Sequence, residues 1–321
     1  MGLLTFAVAG LALALPATAQ AAFPGANGRI AFTVEDWRLP DPCLPVPHGC
    51  EPESVSSRIE TVLPNGRGRR VLRTVPVGFD AGLAWSPNGK LLAFGQGLRL
   101  AIIRHDGTGL RLLPQLTEGE LEPAWSPNGR RLAFVGNQRC LYCSWLYTVR
   151  SDGTGLRRVV EAGARWPAWS STGAIAFVNW DDRYRQPIGV KDGLYTIRPD
   201  GSRLRRLFGR YWGTGGQPDW SPDGRTIAFR ARKHIFTMRA DGRGLRRLTA
   251  PKETPRGQGS SAPAWSPDGK YIAFIRDDDL YVMRSNGRGL RRLIDAPDQD
   301  PADRTKGWTV LGSPAWRPLP R

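Results

Sequence analysis

The twelve residues PAWSPDGKYIAF (263–274) recur with small changes as PAWSPNGRRLAF (123–134) and PDWSPDGRTIAF (218–229). The tryptophans of the phrase are Trp85, Trp125, Trp169, Trp220, Trp265 and Trp316, spaced 40, 44, 51, 45 and 51 residues apart. Self-similarity at this period means a repeat architecture. Each copy continues in one order. A variable loop follows I-A-F, then a strand-like run such as LYTVR (146–150) or LYVMR (280–284). Next comes a turn (SDG, PDG, ADG or SNG), and last GLRRV (155–159) or its relatives at 244–248 and 289–293.

That order predicts four short strands per repeat and no helix. In Ser-Pro-Asp-Gly the proline presets φ, Asp or Asn tolerates the third turn position, and Gly supplies positive φ at the fourth. The Asp/Asn-Gly pair between the third and fourth strands makes a second tight hairpin. A four-stranded meander cannot bury both of its faces alone, whereas meanders stacked around an axis can. I-A-F, apolar on both faces, fits a strand sandwiched between neighbours. The fold expected is an all-β, six-bladed β-propeller of four-stranded blades. The chain ends reinforce this. The first repeat opens at NGRIAF (27–32) with no PAWS before it, and SPAWRP (313–318) has nothing after it. The C-terminal strand should therefore complete blade 1 and close the ring.

These residues resemble the TolB-type β-propeller repeat, with its P-x-W-S-P-D-G, I-A-F and later D-G turn. The resemblance covers residues 24–318 and implies a mostly non-catalytic binding scaffold, although the same repeats cap some secreted peptidases. TolB's extra α/β domain has no counterpart here. The fourth repeat, PAWSSTGAIAF, lacks the turn proline. No functional residues carry over. The expected organisation is a signal peptide at 1–21 and a propeller at 22–321. Its blades would span 24–75 plus 313–318, 82–114, 122–160, 166–208, 217–249 and 262–294.

Export is read from the N-terminus. Leu3–Leu15 is apolar but for Thr5, too short to span a bilayer comfortably, and is followed by small residues suited to A-x-A cleavage at Ala17 and Ala19 or at Ala19 and Ala21. No later stretch suits a membrane helix. No cysteine stands at the cleavage point, which argues against a lipid anchor. An exported protein, periplasmic, envelope-bound or secreted, makes two local disulfides the simplest reading, one within Cys43/Cys50 and one within Cys140/Cys143. Four cysteines allow three connectivities, and the sequence does not choose among them.

The net charge of +17 would ordinarily raise nucleic acid as a partner. Export makes a polyanion of the cell envelope the better match. Both tight turns of a blade should lie at one end of the propeller. The longer connections, near 35–57, 136–145, 178–193, 208–217, 250–262 and 294–313, should lie at the other, where binding usually sits. Six tryptophans outside the repeat fall in or beside these connections: Trp37, Trp145, Trp166, Trp180, Trp212 and Trp308. Most acids fall there too, so this face is expected to be aromatic and comparatively acidic, with a basic rim of arginine pairs. Trp37, Trp180, Trp212, Trp308, Tyr184 and Tyr211 form the candidate binding surface. Loop-pinning is the competing role for these rings, and solvated outer-strand residues the simpler reading of the arginine pairs.

No G-x-S-x-G, metal-ligand spacing or phosphate loop is present. Asp277–Asp279 could offer oxygens to calcium but reads more simply as a solvated loop. The sequence therefore indicates no catalytic residues, no metal and no cofactor. It points to a monomer with a protein or peptide partner in the cell envelope, with no nucleic acid and no membrane span. The alternative is a carbohydrate-binding or carbohydrate-active propeller using the loop tryptophans as sugar platforms.

Overall fold

The computed structural model describes residues 22–38, 53–76, 82–137, 144–161, 163–179, 191–209, 216–250, 259–296 and 308–320. They form six four-stranded antiparallel sheets. Blade 1 is β24 (Trp308–Leu319), β1 (Ala26–Arg38), β2 (Glu53–Val62) and β3 (Arg70–Val75). Blade 2 is β4 (Ala84–Trp85), β5 (Leu91–Gln96), β6 (Arg99–Arg104) and β7 (Arg111–Leu112); blade 3 is β8 (Gly119–Trp125), β9 (Arg131–Asn137), β10 (Ser144–Arg150) and β11 (Arg157–Val160). Blade 4 is β12 (Ala164–Trp169), β13 (Ile175–Asn179), β14 (Gly193–Ile197) and β15 (Arg205–Phe208). Blade 5 is β16 (Asp219–Trp220), β17 (Thr226–Ala231), β18 (His234–Arg239) and β19 (Arg246–Arg247). Blade 6 is β20 (Ser260–Trp265), β21 (Tyr271–Arg276), β22 (Asp279–Arg284) and β23 (Arg291–Ile294). The ring closes as expected: Trp316 pairs with Ile30 and Ala315 with Ala31.

The repeated phrase explains the packing. Period-2 alternation sends the Ala of PAW and the Ala of I-A-F to one face of the blade, and Trp, Ile and Phe to the other. The two alanines sit opposite each other, as in Ala84↔Ala93 and Ala124↔Ala133. The large residues of the next blade fill the space they leave, so Ala84 and Ala93 pack with Trp125, Leu132 and Phe134. The indole of Trp125 then reaches back to the Ala84 carbonyl at 3.0 Å, and Trp220 to Ala168 at 3.1 Å. In the repeat lacking the turn proline, the Trp169 indole bonds its own turn at Gly173 instead.

A second ring of contacts departs from the solvated reading of the arginine pairs. One outer-strand arginine of each blade donates to a backbone carbonyl in the turn of the next. Arg73 reaches Gly107 (3.2 Å), Arg111 Ser151 (2.6 Å), Arg157 Asp200 (2.9 Å), Arg205 Asp241 (2.8 Å) and Arg246 Asn286 (3.0 Å). Arg291 completes the circuit at Pro64 (2.7 Å) and Asn65 (3.0 Å). The turns receiving these bonds are tight. At Gly107 φ is +89°, and an added Cβ would lie 2.2 Å from the Leu72 carbonyl oxygen.

Candidate functional site

The two ends of the molecule differ in kind. The two tight turns of a blade share one end, tied by His105 N–H to Lys90 O (3.0 Å), Ser151 N–H to Arg130 O (2.9 Å) and Ser285 N–H to Lys270 O (2.8 Å). The connections between second and third strands, and between blades, lie at the other end.

There blade 1 outgrows the ring. β1 has 13 residues, β24 has 12 and β2 has 10, whereas the inner strands of blades 2 and 5 have 2 each. The excess forms a three-stranded ribbon, unbroken in register between β1 and β24 from Thr33 to Trp37 and bulged between β1 and β2 at Asp36/Trp37. Trp37 lies between Trp308 and Ser54, and Asp36 between Thr309 and Ser56. The Trp37 and Trp308 rings stack, with centroids 6.4 Å apart and planes within 12°. On the opposite ribbon face Asp36 ties all three strands: it accepts from Thr309 (2.8 Å), Ser56 (2.5 Å) and the Arg58 guanidinium. Burial opposes ionisation of Asp36, but those three hydrogen bonds and the Arg58 charge outweigh it and hold the carboxyl below the ordinary range. On the tryptophan face, the Trp37 Nε1–H and the Ser54 hydroxyl are buried without a hydrogen-bond partner among the described residues.

Around the axis runs a feature the sequence did not disclose. The residue before the inner-strand proline takes positive φ in five blades: Glu122 (58°), Trp166 (52°), Gln217 (43°), Ala262 (50°) and Ser313 (44°). Each is an irregularity that turns the inner strand, and in four of them, those at Glu122, Trp166, Ala262 and Ser313, the ladder visibly slips. The amides freed by the kink are capped from the preceding blade. Glu122 accepts from Trp166 N–H (2.6 Å), and Gln217 from Ala262 N–H (2.7 Å).

Residues 99–279, more than half of the chain, match the TolB beta propeller domain. The chain belongs to the TolB β-propeller family. TolB from Acinetobacter baumannii has the same fold, with a TM-score of 0.65 at 17% identity over 91% of this chain and 67% of that one. A TolB structure from Agrobacterium tumefaciens gives 0.64 at 19% identity, over 91% of this chain and all of that one. A chain of the nidogen/laminin complex gives 0.65 at 12% identity, over 92% and 100%. At these identities the likeness shows the fold alone. No curated protein matches.

In this TolB-family propeller the loop tryptophans divide. Trp37 and Trp308 come together on the ribbon. Trp166 is core, buried with Ala168, Trp220 and Phe229. Trp145 packs against Tyr147, and Arg158 lies 5.1 Å over its ring. Trp180, Trp212, Tyr184 and Tyr211 lie outside the described residues, as do Cys43, Cys50, Cys140 and Cys143. The loop end is not uniformly acidic. Arg230, Arg232, Lys233, His234 and Arg276 gather at blades 5 and 6, and burial with the Arg247 and Arg276 charges holds the His234 imidazole below its usual range. Asp277 and Asp278, both at positive φ, form a hairpin tip. Asp277 accepts from Gly259 N–H, while Asp279 accepts from Ala296 N–H and pairs with Arg292. No cluster of three His, Cys, Asp or Glu suited to a metal occurs among the described residues, and no helix there is long and apolar enough to cross a membrane.

Proposed function

We propose that this TolB-family propeller is an exported, non-catalytic scaffold that binds a protein or peptide at its long-connection end, with the Trp37–Trp308 ribbon as the contact. The observation carrying this reading is the stacked tryptophan pair on a projecting ribbon, beside a buried indole N–H and a buried hydroxyl with no partner among the described residues. Two indoles supply rigid apolar area at low entropic cost. β24 is also the edge strand of its sheet. Where it rises with the ribbon, an extended peptide can add to its free edge.

The test is cross-linked capture from the envelope fraction, followed by titration of the captured partner with wild type and a Trp37→Ala, Trp308→Ala variant. Removing such a pair is expected to cost about 2 kcal/mol or more, roughly a thirty-fold loss of affinity. Unchanged affinity in a folded variant would overturn the assignment. Saturable binding of a cell-wall glycan, with no protein captured, would make the pair a sugar platform instead.

A further inference from the structure

The opposite end of the propeller carries the charge. The stretches 62–70, 104–112, 150–158, 198–206, 239–247 and 284–292 hold 20 of the 46 basic residues, every one an arginine, and only 4 of the 29 acids. The last arginine of four stretches leans toward the long-connection end: Arg158 against Trp145, Arg206 against the Asp192 carbonyl, Arg247 beside His234 and Arg292 against Asp279. All twenty arginines are exposed. The four acids serve their own turns. Asp106 caps Thr108, Asp152 caps Thr154, Asp200 caps Ser202, and Asp241 accepts from Arg243 N–H. Asp223 and Asp268 of the other tight turns are engaged in the same way. The side chains of Arg198, Arg243 and Arg288, at the turns of blades 4, 5 and 6, make no hydrogen bond or ion pair among the described residues. The same stretches show one exposed leucine per blade: Leu63, Leu112, Leu156, Leu204, Leu245 and Leu290, all 37–47% exposed. A single exposed leucine is ordinary. Here one stands beside arginines in every blade.

We propose that the tight-turn end docks on a lipid bilayer bearing anionic headgroups. Guanidinium forks match phosphate oxygens. Cation-rich surfaces gather at anionic leaflets, and apolar side chains among the cations enter the boundary between headgroup and acyl chain. A soluble polyanion would satisfy the arginines yet leave the leucines in water, so the leucines favour the membrane. Docked this way, the propeller turns its tryptophan ribbon away from the bilayer.

The test is flotation with vesicles of phosphatidylcholine alone, or with one-quarter phosphatidylglycerol, at low and high salt. Wild type should bind only the anionic vesicles and be released by salt. Arg198→Glu, Arg243→Glu, Arg288→Glu should lose at least ten-fold in partitioning, and so should Leu204→Ser, Leu245→Ser, Leu290→Ser. The leucine variant should still bind soluble polyphosphate like wild type. Thermal unfolding checks the fold, and single substitutions replace any triple that fails it. Failure of wild type to bind anionic vesicles overturns the proposal. So does a leucine variant that binds them as tightly as wild type, which would mark a site for soluble polyanions.

A second, independent observation concerns Asp219. It stands where the other five repeats have Ala84, Ala124, Ala168, Ala264 and Ala315. It is fully buried, and its Oδ1 has no hydrogen-bond partner among the described residues. Its Oδ2 takes a hydrogen bond from the Trp265 amide, while the Trp220 carbonyl accepts from the N–H of buried Ala22 at 3.2 Å. Resting on the export reading, we infer that cleavage after Ala21 frees an Ala22 ammonium that pairs with Asp219. Burial alone pushes the Asp219 carboxyl well up, and a cation beside it supplies the missing partner. The test compares the chain starting at Ala22 with the same chain acetylated there. The free amine should unfold several degrees higher. This advantage should vanish in Asp219→Ala, or in Asp219→Asn if the alanine variant does not fold. An amine raised by its partner stabilises fully below its unfolded pKa of about 8 for as long as Asp219 stays ionised, and the advantage is lost as pH rises through the folded value or falls far enough to protonate Asp219. Equal midpoints for the two chains, or an advantage that persists without the carboxylate, would sink the idea.

Discussion

Trp125→Ala is expected to destabilise the protein by about 3–5 kcal/mol, lowering the thermal midpoint by of order 10 °C. Trp125 is among the largest fully buried side chains. It packs on Ala84, Ala93 and Ile102 of the preceding blade and donates to the Ala84 carbonyl. Truncation therefore opens a cavity between two blades and orphans a buried carbonyl. Every blade contacts only its neighbours, but a closed ring has no free end at which the loss can be absorbed. Leu156→Ala, on the exposed outer edge of the same blade, is the control and should stay within about 0.5 kcal/mol. Equal midpoints for the two variants would contradict the packing described.

Ending the chain at residue 307 is expected to abolish cooperative unfolding. The deletion removes β24, and with it the inner strand of blade 1. The Trp85 indole loses its acceptor on Ala315, and the core between blades 6 and 1 loses Trp316 and Leu311. β1 becomes an open apolar edge, which invites association with other copies. Near-ultraviolet circular dichroism and size-exclusion chromatography read the outcome, and a peptide of residues 308–321 added in trans should restore part of the signal. A truncated chain that melts like the full one would show that the ring does not depend on this closure.

How much of this was legible in the sequence follows from the range of each interaction. Strands, tight turns and ring closure are written in local patterns: alternation, Pro-Asp-Gly, and a PAW phrase displaced from the first repeat to the last. The arginine latch was not legible. Its acceptors are backbone carbonyls of the following repeat, which leave no side-chain signature, so exposed pairs such as Arg157–Arg158 read as solvated. Nor were the left-handed residues before proline, because that position ordinarily favours extended backbone. The closing phrase marked 313–318, yet β24 begins at Trp308. That extension creates the Trp37–Trp308 pair, whose members lie far apart in sequence. Trp166 read as a loop aromatic and is core, because the kink at its own φ turns it inward. The Asp219 signal was visible as PDW among copies of PAW; its meaning depended on the burial of that position.

The central claim, that the working surface is the blade 1 ribbon, is tested most directly by hydrogen–deuterium exchange on the captured complex. Slowed exchange is expected at residues 34–38, 54–57 and 308–311, where the ribbon leaves the ring. Protection confined to the arginine-rich turns, with the ribbon exchanging as in the free protein, would contradict it.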